Sequence, residues 1–192
     1  STFDYTKIKE LRPLTVIPFD THLMINEPVR QIQNYIDAGS DIVTVHTEVC
    51  DESSFGEIHD LLKSNKVGVG LAINPDTSMP DWSKKFISSL DQIIVMSVVP
   101  GKSGQKYIEN THEKTKNLLV NLKENGFTGY IEADGGVTLD NIGQCFADGA
   151  RAFVGGSAII GQTDVRLVIR EFRNQVLRTR RKLLIQKANE LG

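Results

Sequence analysis

Residues 92–105 read Gln92-Ile93-Ile94-Val95-Met96-Ser97-Val98-Val99-Pro100-Gly101-Lys102-Ser103-Gly104-Gln105, and their pattern decides the fold. A nearly unbroken apolar run ends in a loop of small residues. Residues 108–125 then place Leu118, Leu119 and Leu122 at helical spacing and stop at Gly126, and residues 129–133 open another short run. A continuous apolar run bounded by turn residues is the mark of a parallel strand covered on both faces, and the amphipathic stretch is its crossover helix.

Outward from this unit the same alternation repeats. Apolar runs at residues 16–24, 41–47, 67–73, 92–99, 129–133 and 151–154 are predicted strands. Between them, residues 28–38 open on Pro28 and close before Gly39, residues 55–65 set Ile58, Leu61 and Leu62 on one face, and residues 141–148 stop at Gly149. Residues 6–14 read as a short leading helix. Val165, Val168, Ile169, Phe172 and Val176 mark one face of a long final helix. Its basic run, Arg178, Arg180, Arg181 and Lys182, is expected on a solvated face rather than on nucleic acid. Six strand–helix units in strict alternation predict an α/β fold with a parallel sheet. Periodicity leaves an open doubly wound sheet and a closed barrel both standing. No linker or charge block divides residues 1–192, so one domain is expected.

The composition narrows the partners. Of the 192 residues 40% are hydrophobic and 24% charged, and 22 Lys and Arg stand against 24 Asp and Glu for a net charge of −2. No global field recruits nucleic acid or an anionic membrane, so an anionic ligand must be held by local groups. Two cysteines, Cys50 and Cys145, lie far apart with no CxxC spacing, which fits a reducing compartment. No apolar run approaches the roughly 18 residues of a membrane span, and residues 1–20 lack a signal-peptide layout. A cytoplasmic protein is expected.

Polar and glycine-rich residues gather after the strands, where parallel α/β folds bind their ligands. Asp20 and His22, two apart on one strand, point to one face, and imidazole and carboxylate both suit a transition metal; a rim histidine is the plainer reading. Asp134-Gly135-Gly136 offers an acid followed by backbone that can bend sharply and approach a ligand, or else simply a turn. Small residues at 100–105 and at Gly155-Gly156-Ser157 expose successive backbone N–H groups that can cradle a phosphate, though neither is a Walker loop. His46 reads as packed or functional with equal weight. His59 and His112 are expected to be solvated on helices, and Met24 and Met96 to be core residues.

Taken together these stretches resemble the ribulose-phosphate 3-epimerase family. The motifs that carry the likeness are Asp20-Thr21-His22-Leu23-Met24, Ala38-Gly39-Ser40-Asp41, His46-Thr47-Glu48, Ala72-Ile73-Asn74-Pro75-Asp76-Thr77 and Val95-Met96-Ser97-Val98-Val99-Pro100-Gly101. Gly104-Gln105, Asp134-Gly135-Gly136-Val137, Gly149-Ala150 and Gly156-Ser157-Ala158-Ile159 follow in family order. The resemblance implies a (β/α)8 TIM-type barrel that inverts C3 of a pentulose 5-phosphate, converting D-ribulose 5-phosphate to D-xylulose 5-phosphate. It implies two carboxylates that move protons on opposite faces, and a divalent metal (Zn, Fe, Mn or Co) that stabilises the enediolate. Carried over by motif, His22 and Asp134 are metal ligands and Asp134 is also an acid/base group. His22, Gly101, Lys102, Ser103, Gly104, Asp134, Gly135, Gly136, Gly156 and Ser157 match substrate and phosphate contacts, while Met24 and Met96 line the sugar pocket. A small sugar phosphate is the implied partner, and a homo-oligomer is expected.

The sequence also departs from the family. The family opens with a strand bearing a substrate-binding Ser and a second strand with a His-x-Asp pair that supplies the remaining metal ligands and the other acid/base group. Ser1 aligns just beyond that strand, so the first two of eight strands are expected to be absent, with a vacancy beside residues 16–24. The phosphate loop reads Gly101-Lys102-Ser103-Gly104 where the family has Gly-Phe-Gly-Gly. The sister readings are a hexulose-phosphate epimerase and a truncated, non-catalytic barrel. An Asp-x-Lys-x-x-Asp cluster of the decarboxylase kind does not occur.

Overall fold

In a computed structural model of the protein, which describes residues 4–101 and 104–190, the apolar runs become parallel strands. They are β1 (Asp20–Leu23), β2 (Ile42–His46), β3 (Gly68–Ile73), β4 (Gln92–Met96), β5 (Tyr130–Asp134) and β6 (Ala150–Val154), paired in sequence order. The helices are α1 (Tyr5–Leu11), α2 (Pro28–Ala38), α3 (Glu52–Ser64), α4 (Thr111–Glu124), α5 (Ile142–Asp148) and α6 (Val165–Glu190). Local signals act as the sequence predicts. Pro28 occupies the first turn of α2, and Gly39 ends it at φ +96°, a conformation costly for any side chain. Asp51 starts α3 by accepting from the Ser54 backbone N–H, with the Ser54 hydroxyl bonded back to the Asp51 backbone.

Two cores result from strand alternation. Outward residues such as Val43, Val45, Leu71, Ile93, Val95 and Ile131 pack with Ile32, Phe55, Ile58, Leu62 and Leu122 from the helices. Inward, Ala72, Ile94, Met96 and Val98 form a smaller cluster of their own. The sheet curls into a half-barrel. His22 on β1 meets Asp134 on β5 at 3.1 Å, whereas four strand steps of about 4.8 Å in a flat sheet would separate them by roughly 19 Å.

The first strand is shorter than residues 16–24. Val16 and Ile17 are 98% and 69% exposed, and pairing begins only at Asp20. Arg12 accounts for this: its guanidinium donates to the Thr15, Ile17 and Gly39 carbonyls and to the Asp41 carboxylate, and it lies 4.1 Å over the Phe19 ring. Carbonyls taken by a side chain are not available to a strand ladder. β1 has β2 as its one sheet partner among the described residues. Residues 178 and 180–182 of α6 are exposed, as the solvated-face reading requires.

Candidate active site

The functional side chains stand at the carboxyl ends of the strands, on the inner face of the curl. Asp134 ends β5, where Ser97 anchors it: the Ser97 backbone N–H and hydroxyl donate to the Asp134 carbonyl at 2.7 and 3.0 Å, and the hydroxyl also reaches the Gly135 carbonyl at 2.6 Å. The turn that follows needs glycine. Gly135 and Gly136 have φ +114° and +63°, and a Cβ on Gly136 would lie 2.5 Å from the Tyr107 backbone nitrogen. The segment after Gly104 is therefore laid directly over the Asp134 turn.

One cavity of about 760 Å³ collects most of the sequence-predicted residues. Gly101, Gly104, Gly135, Gly136, Gly156 and Ser157 line it, together with Met24, Met96 and Asp134. A substituent on Gly101, Gly104 or Gly156 would point into open space, so these backbones face the void rather than packing. Gly156 and Ser157 begin a π-helical turn, Gly156–Ile160, whose first N–H groups lack partners within the turn. Lys102 and Ser103 lie outside the described residues. Lys106, which sequence reasoning passed over, lines the same cavity and is its one lysine or arginine among the described residues. Its position two residues past Gly104 was the available signal.

His22 lines an adjoining cavity of about 650 Å³ beside α1 and β1, and Met24 and Gly101 line both. Met24 is 47% exposed and is not a core residue, because its strand ends at Leu23; Met96 is fully buried. The Asp134 carboxylate can only accept, so His22 Nδ1 donates to Asp134 Oδ2. Asp134 Oδ1 has no hydrogen bond among the described residues. His22 Nε2 stands 2.8 Å from His46 Nε2, with the two rings 17° from parallel, and His46 Nδ1 lies 3.3 Å from Glu48 Oε2. Burial and the neighbouring His22 push the His46 pKa down. Hydrogen bonds from Thr77 and the Asn74 backbone hold the Glu48 carboxyl below its usual range against burial.

Below this layer, Asp20 shares the inner face with His22, as the strand period predicts. Its pKa is raised by burial. Glu132, two residues before Asp134 and 7% exposed, is pushed up to about 9 by burial and by the Asp20 and Asp134 carboxylates. Two other histidines differ from expectation. His59 and His112 are largely covered, because His59 bonds Ser89 at 2.8 Å and His112 bonds the buried Asp148 at 2.5 Å.

Among the described residues, no group of three or more His, Cys, Asp and Glu side chains is arranged to hold a metal ion. His22 and Asp134 offer two donors, and both His22 nitrogens are engaged, by Asp134 and by His46. A four-coordinate site needs more. These two side chains alone do not complete the implied metal site.

Comparison with known proteins agrees with the geometry. The family model described as "Ribulose-phosphate 3 epimerase family" matches residues 1–160. The chain is 38% identical over 160 residues to the chloroplastic ribulose-5-phosphate-3-epimerase of Arabidopsis thaliana, covering 82% of this chain but 56% of that protein. It is 36% identical over 170 residues to ribulose-phosphate 3-epimerase of Escherichia coli K12, covering 88% and 74%. Solved structures share the fold at low identity. One is KGPDC from Streptococcus mutans, with TM-score 0.70 at 16% identity over 90% of this chain and 78% of that one. Another is 3-hexulose-6-phosphate synthase from Salmonella typhimurium, with TM-score 0.69 at 19% over 91% and 81%. No helix among the described residues is long and apolar enough to cross a membrane. The chain belongs to the ribulose-phosphate 3-epimerase family.

Proposed function

We propose that the protein acts on a pentulose 5-phosphate, moving the C3 proton in the interconversion of D-ribulose 5-phosphate and D-xylulose 5-phosphate. One observation carries this reading: a carboxylate with a free oxygen, Asp134, lines the same 760 Å³ cavity as a set of open glycine backbones. An acid/base group and an anion cradle in one void fit a phosphorylated substrate whose acidic carbon lies a few bonds from its phosphate. The family membership and the named relatives support the same substrate class.

In this reading the phosphate sits against the first N–H groups of the Gly156–Ile160 turn and the Gly101 and Gly104 backbone, where unpaired N–H groups favour an anion. Lys106 adds the charge that neutral amides lack. Met24 and Met96 flank the sugar carbons with soft apolar surface. Asp134 Oδ1 takes or returns the C3 proton on one face, while His22 Nδ1–H holds Oδ2 and so orients the carboxylate. His22 and Asp134 are the donors that these residues would contribute to a divalent cation, which would stabilise the negative charge that develops on the enediolate oxygens.

The test is exchange of the C3 proton of ribulose 5-phosphate with solvent deuterium. Asp134→Asn should reduce it by ~100-fold or more, the low end for a lost acid/base group, with the fold kept. Near-normal exchange in that variant would overturn the assignment.

A further inference from the structure

The proton transfer just described gives no task to His112 and Asp148, which pair between α4 and α5. Asp148 ends α5 with its side chain 1% exposed. A carboxylate that deep needs hydrogen-bond donors, and three reach it among the described residues. Gln144 Nε2 and Lys116 Nζ stand 2.8 and 3.1 Å from Oδ1, and His112 Nδ1 stands 2.5 Å from Oδ2. A carboxylate only accepts, so Nδ1 donates, and that bond fixes the imidazole in the first turn of α4. The fixed ring in turn seats Tyr107: the two rings stack with centroids 4.7 Å apart and planes 30° from parallel. Aromatic pairs are directional contacts, so the ring plane set at Asp148 is passed on to Tyr107.

Tyr107 sits in the middle of a strap, residues 105–109, that runs along the 760 Å³ cavity. The backbone of the strap is clamped from within. The Tyr107 nitrogen lies 2.5 Å from where a Cβ on Gly136 would stand, and the Ile108 N–H donates to the Ser97 carbonyl at 2.9 Å. Lys106 and Glu109 of the strap both line the cavity. They carry opposite charges, so the strap must be held in one setting if the amine rather than the carboxylate is to face an anion. We propose that His112 and Asp148 are positioning residues for the anion-binding wall of this cavity: their bond seats the Tyr107 ring, and the seated ring holds the strap so that Lys106 stands against a bound phosphate.

This inference rests on the anion cradle of the proposed function, and binding of inorganic phosphate, measured by calorimetry, reads that cradle without turnover. Phosphate should bind about tenfold more weakly to His112→Ala than to the native protein, the loss expected for one charge-assisted contact. The double variant His112→Ala/Lys106→Ala should bind little more weakly than Lys106→Ala alone, because both changes remove the same contact. His112→Asn separates positioning from stability. Its amide keeps a donor near the Nδ1 position, so Asp148 stays bonded and the melting temperature should stay close to native, while the ring against Tyr107 is lost. Phosphate affinity should fall in His112→Asn nearly as far as in His112→Ala, and in turnover of ribulose 5-phosphate the loss should appear in KM rather than kcat. Native phosphate affinity in His112→Asn would overturn the inference, and so would a double variant whose loss is the product of the two single losses, or a turnover loss carried wholly by kcat. If phosphate binds with this dependence on Lys106 and His112 while no C3 proton is exchanged, the proposed reaction fails and the positioning role stands.

Discussion

His22 Nδ1 lies 3.1 Å from Asp134 Oδ2, although three strands separate β1 from β5 in the sheet. That single contact measures the curl of the sheet and joins the two residues to which the proposed function assigns the proton transfer. It also places them where two cavities adjoin, one lined by His22 and the other by Asp134, with Met24 and Gly101 lining both.

The glycine turn after Asp134 should be intolerant of a side chain. Gly136→Ala must hold a positive φ and place a Cβ 2.5 Å from the Tyr107 backbone nitrogen. The left-handed conformation alone costs about 1–2 kcal/mol, and the backbone overlap adds to it. Gly101→Ala has a positive φ but no atom within 4 Å of the new Cβ, so only the conformational cost of about 1–2 kcal/mol applies. Thermal or urea unfolding should rank Gly136→Ala well below Gly101→Ala. Equal stabilities would show that the Tyr107 segment is not pinned there.

Lys106 should matter for the phosphate and not for the carbon chemistry. Lys106→Ala is expected to weaken inhibition by inorganic phosphate about tenfold, as loss of one charge-assisted contact of ~1.4 kcal/mol would do. Lys106→Arg should retain most of it. Competitive inhibition constants check both, and an unchanged constant in the alanine variant would remove Lys106 from the anion site.

Glu132 gives the fold a pH dependence of definite sign. Its carboxyl ionises near 4.5 in the unfolded chain and near 9 when folded, so folding takes up a proton between those values. Stability from this group is full below the lower value and is lost as pH rises through the upper one. Glu132→Gln removes the titration. Melting temperatures should show the variant gaining on the native protein as pH goes from 5 to about 8.5, the range over which the linkage applies. A constant difference across that range would contradict the assignment.

Metal binding by residues 1–192 should be weak. Two donors, His22 and Asp134, fall short of the four that a tetrahedral site takes, and binding must first break the His22 contacts. Equilibrium dialysis with Zn²⁺ or Mn²⁺ at micromolar concentration should show no stoichiometric uptake, and His22→Ala should change little. Tight binding lost in His22→Ala would mean that further ligands gather there.

The sequence by itself determined the strand–helix alternation, the parallel sheet and the strand ends at which the cavity-lining residues gather. Those features depend on local periodicity and on turn residues such as Pro28, Gly39 and Asp134-Gly135-Gly136, and each acts within a few residues of itself. The first strand was overextended because Val16 and Ile17 look like strand, while their carbonyls are claimed by Arg12, whose reach the pattern does not show. Only the tertiary structure decided which side of each strand matters. The i, i+2 spacing of His46 and Glu48 allowed a shared face but could not say that the face looks at His22. Nor could helical position say that His112 turns onto the buried Asp148, thirty-six residues away along the chain. The curl brings β1 and β5 together, and with them an imidazole and a carboxylate 112 residues apart. Closure of that kind depends on the summed twist of many strand pairs, and no short stretch of sequence carries it.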